Sequence, residues 1–161
     1  EYGFRGAGLQ ELAGGKRDAI FRAGVDGALK IAQEDEADPL EKYSPSRFVC
    51  SLAGDIGVPR ARAITLVTAA VAARGRSKLL QALEMLREGK VKLATKEMQS
   101  LLRLFAQFPP ITDSPEMEMV ACDLKRFLTS SERSQLISII SDSEQWSDSA
   151  VSGMQQALGI K

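Results

Sequence analysis

The chain has 161 residues, of which 44% are hydrophobic and 26% are charged, an ordinary balance for a globular protein with its own core. Its 21 basic and 21 acidic side chains give a formal net charge of zero, which excludes the overall attraction to nucleic acid or to an anionic membrane that a basic protein has. Histidine is absent, so catalytic arrangements built on an imidazole base and most zinc sites are excluded as well.

A long amphipathic helix is the first regular element that the sequence predicts, over about residues 16–33. Apolar residues recur there at helical spacing and line one face. They are Phe21, Val25, Ala28, Leu29 and Ala32. Gly24 and Gly27 lower the helix propensity of this segment, so we expect the helix to depend on packing and the glycines to admit a close neighbouring helix.

The domain organisation follows from an acidic, proline-containing segment after this helix. We expect residues 1–36 to form an N-terminal arm and the first long helix, residues 37–44 to form a linker, and residues 45–161 to form a helical bundle. The arm is rich in glycine and carries Tyr2 and Phe4, by which we expect it to dock. The bundle and residues 1–36 then form either one domain or two packed subdomains.

Start and stop signals divide residues 45–161 into further helices. Ser44 with Pro45, and Ser114 with Pro115, each combine a capping serine with a proline at the first helical position. Glycine and proline then interrupt the helical pattern at four places. We expect breaks at residues 57–59, at Gly75, at Gly89 and at residues 109–110.

Two capping boxes open the last helices. Thr129 precedes Glu132 by three residues, and Ser141 stands in the same relation to Glu144. Together the segments predict an all-α protein, a compact bundle of about seven or eight helices with no convincing strand. No apolar stretch approaches the roughly 20 residues of a membrane span.

The stretch 52–66 resembles a helix-turn-helix, the motif that places a second, recognition helix in the major groove of DNA. Ala53 is the small residue where the two helices would cross, and Gly57 is the turn residue that tolerates a positive φ. In a DNA-binding version, Arg60 and Arg62 would project from the first turn of the second helix. The residues that follow are apolar nearly all round, which favours a buried helix, so nucleic-acid binding is the alternative function.

A basic series occupies the middle of the chain, between acidic flanks. Residues 46–103 carry eleven basic and four acidic side chains. Helical spacing places parts of this series on one face, which we expect to bind a protein partner with an acidic surface. The candidate binding residues are Arg74, Arg76, Lys78, Lys90, Lys92 and Lys96. The competing interpretation is that the basic and acidic segments neutralise each other within the fold.

The two cysteines, Cys50 and Cys122, stand in apolar helical stretches, so we expect buried core thiols and a reducing, intracellular compartment. No phosphate-binding or dinucleotide-binding motif is complete, and no cofactor, metal site or catalytic constellation is predicted. The sequence therefore predicts a non-enzymatic interaction protein, such as an adaptor, an assembly factor or a subunit of a larger complex.

Overall fold

A computed structural model describes residues 14–34, 44–141 and 146–159, and within these ranges the chain forms seven helices and no strand. The predicted all-α bundle is confirmed. The helices are α1 (Gly14–Ala32), α2 (Pro45–Ile56), α3 (Arg60–Arg87), α4 (Val91–Gln107), α5 (Pro115–Phe127), α6 (Ser130–Ser141) and α7 (Asp148–Ala157). The predicted arm, nearly all of the 37–44 linker and the capping residue Glu144 lie outside the described residues. None of the described helices combines the length and the apolar character needed to cross a bilayer.

Helix α3 is the longest described helix and packs against α1, α4 and α5, while α4 packs against α1, α3, α6 and α7. Buried side chains from all seven helices form one continuous core. Phe21, Leu79, Met98 and Leu136, from α1, α3, α4 and α6, are each no more than 1% exposed. Burying one such side chain contributes roughly 1.5–3 kcal/mol, so the core gives the short helices α2, α6 and α7 the stability that they lack alone.

The predicted break at Gly75 is wrong, because α3 continues through this residue without interruption. Gly75 is buried, and a Cβ atom there would lie 3.1 Å from Cζ of Phe105 in α4. The glycine therefore makes room for an aromatic ring between two long helices. The other three predicted breaks all separate helices in the structure.

Of Gly24 and Gly27 in α1, only Gly24 serves the predicted close approach. A Cβ atom on Gly24 would overlap Cδ2 of Leu52, so α2 packs directly on the backbone of α1 there. No neighbouring atom lies within 4 Å of the same position on Gly27, so the expectation for that residue is wrong. The predicted apolar face of α1 is buried as a whole, which confirms the helical pattern.

The predicted helix caps form where the structure describes both partners. Ser44 and Ser114 each accept a hydrogen bond from the backbone N–H three residues later, at 3.2 and 3.4 Å. Thr129 and Glu132 exchange hydrogen bonds at 3.0 and 3.2 Å, each side chain accepting from the backbone N–H of the other residue. Local sequence therefore fixes the starts of α2, α5 and α6.

The fit of Pro110 against Gly153 of α7 gives a test of the packing. Alanine at Gly153 would place its Cβ 2.8 Å from Cδ of the Pro110 ring, which cannot rotate away. We expect Gly153→Ala to lower the free energy of unfolding by about 1–3 kcal/mol. Gly27→Ala, in open space on α1, should raise it by up to about 1 kcal/mol. Urea denaturation measures both changes, and a Gly153→Ala variant at least as stable as Gly27→Ala would contradict the packing.

Candidate functional site

An open groove lies between α2, α3 and the segment 107–111 that joins α4 to α5. Its volume is about 630 Å³, which falls within the range of about 300–1,000 Å³ that is usual for ligand pockets. Helix α1 contacts Leu52 of α2 and forms ion pairs with Arg62 and Arg74 of α3, and none of these three residues lines the groove. The groove therefore occupies a face of the α2–α3 pair that α1 leaves uncovered.

The walls of the groove are mainly apolar. Ile64 of α3 and Ile111 of the connecting segment line it and are 45% and 50% exposed. Ser46, Cys50, Thr68 and Gln107 add polar atoms, and Arg60 is the one charged residue in the described lining. Apolar side chains clustered in an exposed concave surface are typical of binding sites.

The groove opens because α2 and α3 diverge from a tight turn. Gly57 ends α2 with φ 82°, as the sequence predicts, and its N–H bonds to the carbonyl oxygen of Ala53 at 3.1 Å. Away from this turn α2 packs along α1, whereas α3 packs mainly along α4. Val49 and Ala53 on one side, and Ala63 on the other, line the space between the diverging helices.

The opposite wall is formed by Pro109 and Pro110 between the buried Phe108 and the exposed Ile111. These prolines end α4 and cannot continue a helix because they lack a backbone N–H. The Pro110 ring also packs against Gly153 of α7, which holds this wall on the bundle.

The cysteines differ from the sequence prediction. Both Cys50 and Cys122 are free and exposed, so the expectation of two buried core thiols is wrong. Val49, next to Cys50, and Val120, two residues before Cys122, are buried. Successive residues of a helix point about 100° apart, so an apolar neighbour does not bury a cysteine. Cys50 lines the groove, whereas Cys122 lies on α5 outside the lining.

Three of the six residues predicted to form a basic partner-binding face are ion-paired with acidic residues of other helices. The pairs are Arg74 with Asp26, Arg76 with Asp123 at 3.1 Å, and Lys78 with Glu97 at 2.6 Å. Asp26 and Asp123 come from the acidic flanks of the chain, so part of the basic series neutralises them across helices. Binding of a partner by this face stays a prediction.

The other three predicted residues lie at the α3–α4 turn and on α4. Lys90 pairs with Glu88 at 2.7 Å, which holds the pKa of Lys90 above its usual value. Lys92 and Lys96 are exposed and form no ion pair with any of the described residues.

The two arginines of the helix-turn-helix hypothesis have different surroundings. Arg62 forms an ion pair with Asp18 of α1 at 2.7 Å, and this hydrogen bond holds the pKa of Asp18 below its usual value. Arg60 lies in the exposed first turn of α3 and lines the groove. The turn at Gly57 forms as predicted, while nucleic-acid binding by the two arginines stays a prediction.

Sequence reasoning did not identify the groove. Ile64, Val67 and Val71 recur at helical spacing on α3 and line it together. The sequence alone ascribes this second apolar face to burial, because helices that are apolar all round are usually buried. The helical spacing of these residues indicates a second apolar face on α3. Only the arrangement of α2 and the segment 107–111 shows that this face lines a groove.

No protein-family model, curated protein or solved structure matches the chain. In the described ranges, no group of three or more Cys, Asp or Glu side chains is placed to hold a metal ion. The groove is the candidate functional site because of its size, its concave shape and its exposed apolar lining.

One further cation of the basic series, Arg87, gives a pH-dependent test. Its guanidinium donates to both carboxylate oxygens of Glu132, at 2.9 and 3.1 Å, and to the carbonyl oxygen of Phe127 at 2.8 Å. The hydrogen bond from Arg87, together with the backbone N–H of Thr129, lowers the pKa of Glu132 to about 2. In an unfolded chain the pKa of a glutamate is about 4.3.

Because the folded state prefers the ionised carboxylate, this contribution to stability is present above about pH 4.3 and is lost as the pH falls toward 2. We expect Glu132→Gln to lower the melting temperature at pH 7 and to match the wild type near pH 2. Thermal unfolding between pH 2 and 7 measures this. Glu118→Gln, an exposed position on α5, is the control, and a constant Glu132→Gln deficit over the whole range would contradict the assignment.

Proposed function

We propose that the protein is a non-enzymatic interaction protein whose groove binds an amphipathic helix of a protein partner. The observation that carries the proposal is the open apolar groove of about 630 Å³, with Ile64 and Ile111 half exposed in its walls. Leaving such side chains in water is unfavourable, so covering them with an apolar surface contributes to binding.

The dimensions of the groove suit a helix. Its lining follows α3 from Arg60 to Val71, eleven residues onward, which corresponds to roughly 16 Å, or about three helical turns. A third helix placed between α2 and α3 packs its side chains against two existing helices, as in a bundle. Helices recognised in grooves of this kind present apolar anchors at positions i, i+3 or i+4, and i+7.

The charge of the lining gives the partner helix a direction. Arg60 lies at the Gly57 end of the groove and is the one charged residue in the described lining. A carboxylate on the partner beside Arg60 forms a charge-assisted hydrogen bond, whereas charges elsewhere on the buried face lose solvation without compensation. In this proposal Arg60 provides the contact with an acidic partner, because Arg74, Arg76 and Lys78 are engaged in ion pairs within the chain.

The chemistry of the lining supports binding over catalysis. It offers a thiol, hydroxyl groups, an amide and a guanidinium, but no carboxylate, lysine or histidine among the described residues to act as a base. The free, exposed thiols of Cys50 and Cys122 fit a reducing compartment, where cysteines remain unpaired.

Filling the groove tests the proposal. Gly54 lines it, and a Cβ atom there meets no neighbouring atom within 4 Å, so Gly54→Phe places a ring in the groove without displacing the protein. Gly27→Phe is the matched control, because Gly27 is an equally open helical glycine outside the lining. The probe is a displayed library of amphipathic helices with apolar residues at i, i+4, i+7 and i+11, selected on the wild-type chain.

We expect the selected peptides to carry an acidic residue near one end. Fluorescence anisotropy should show their affinity falling at least about tenfold, or roughly 1.4 kcal/mol, for Gly54→Phe and remaining at the wild-type level for Gly27→Phe. Arg60→Glu should weaken the same peptides. A selection in which no binder distinguishes Gly54→Phe from Gly27→Phe would contradict the proposal.

A further inference from the structure

The start of α1 is held beside the turn at which the groove begins. Arg17 donates from Nη1 to the carbonyl oxygen of Gly57 at 3.3 Å, and the next residue, Asp18, forms its ion pair with Arg62 at 2.7 Å. Gly57 stands three residues before Arg60, which lines the groove. The chain that precedes α1 therefore joins the bundle next to this end of the groove.

The preceding segment is long enough to follow the groove. Thirteen residues come before Gly14, and an extended chain covers about 3.3 Å per residue, or roughly 43 Å in total. The groove extends only roughly 16 Å along α3. Even with a change of direction just before α1, residues 1–13 are long enough to reach the far end of the groove.

The composition of residues 1–13 matches the lining. Tyr2, Phe4, Leu9 and Leu12 provide large apolar side chains, which suit the mainly apolar walls of the groove. Glu11 stands three residues before Gly14. Its position in the chain corresponds to the end of the groove where Arg60 lies.

We propose that residues 1–13 occupy the groove of their own chain and compete there with a partner helix. The aromatic rings of Tyr2 and Phe4 insert among the apolar lining, and the carboxylate of Glu11 faces Arg60. This inference rests on the proposed function of the groove as a binding site, and it adds that the site is regulated from within the molecule.

Because residues 1–13 belong to the same chain as the groove, they occupy it even when their intrinsic affinity for it is low. A short tether gives an effective concentration on the order of 1 mM, so a segment with an intrinsic dissociation constant of about 0.1 mM occupies the groove roughly nine-tenths of the time. A partner then binds the full chain about tenfold more weakly than a chain whose segment is released.

The labelling rates of the two thiols show whether residues 1–13 occupy the groove. Cys50 lines the groove and Cys122 lies outside it, and both are exposed in the described part of the chain. N-ethylmaleimide labelling of the full chain, resolved by peptide mass spectrometry, gives a rate for each thiol. In a Tyr2→Ser and Phe4→Ser variant, Cys50 should react about tenfold faster than in the wild type, while Cys122 reacts at the same rate in both.

A matched control uses the same kind of change elsewhere. Ile20→Ser and Ile31→Ser replace two exposed apolar residues of α1 and should leave both labelling rates unchanged. Equal Cys50 rates in the wild type and the Tyr2→Ser and Phe4→Ser variant overturn the inference. The inference is also overturned if the Ile20→Ser and Ile31→Ser control accelerates the labelling of Cys50 to the same extent.

The peptides selected on the groove separate this inference from the proposed function. If residues 1–13 compete, these peptides bind the Tyr2→Ser and Phe4→Ser variant about tenfold more tightly than the wild type. Equal affinity for both chains overturns the competition and leaves the groove as a partner site. A different outcome is that residues 1–13 slow the labelling of Cys50 but no selected peptide is sensitive to Gly54→Phe. The contact of residues 1–13 with the groove then stands, and the proposed function is contradicted.

Discussion

The position of one aromatic ring organises the part of the bundle that carries the groove. Phe105 of α4 is fully buried between two glycines, Gly75 of α3 and Gly153 of α7, whose hydrogen atoms leave room for the ring. Gly153 also receives the ring of Pro110. The same small residue thus holds α7 against α4 and fixes the segment after α4. Because that segment forms a wall of the groove, the candidate site depends on the tight packing of the core beneath it.

Local rules and long-range packing explain different parts of this structure. The starts of α2 and α5 were predictable because a capping serine and a proline act within one turn of chain. The role of Gly75 was not predictable, since a glycine that ends a helix and a glycine that makes room for a ring look alike in sequence. Only the packing of Phe105 against Gly75 shows which role this glycine has. The exposure of Cys50 escaped prediction for a related reason, because Val49 faces the core while Cys50, the next residue, lines the groove.

The charge pattern of the sequence likewise does not reveal which charged residues pair in the fold. The basic middle and acidic flanks are visible in the sequence, but the ion pairs Arg62–Asp18, Arg74–Asp26 and Arg87–Glu132 join residues that are 44 to 48 positions apart. Only the packing of α3 against α1, and of the end of α3 against the start of α6, determines which charges meet. Composition therefore predicted that neutralisation could occur, without identifying the cations that remain exposed on α4.

The two prolines of the groove wall determine how a bound molecule can be recognised. Pro109 and Pro110 have no backbone N–H, and the amides of α2 and α3 beyond their first turns are engaged within their own helices. The groove accordingly offers few backbone N–H donors to a bound molecule. In the proposed function, recognition therefore depends on the shape of the groove, on the spacing of the partner's apolar side chains and on the contact with Arg60. If the groove binds a partner helix as proposed, shape and apolar spacing favour moderate affinity for several related helices over high affinity for a single one.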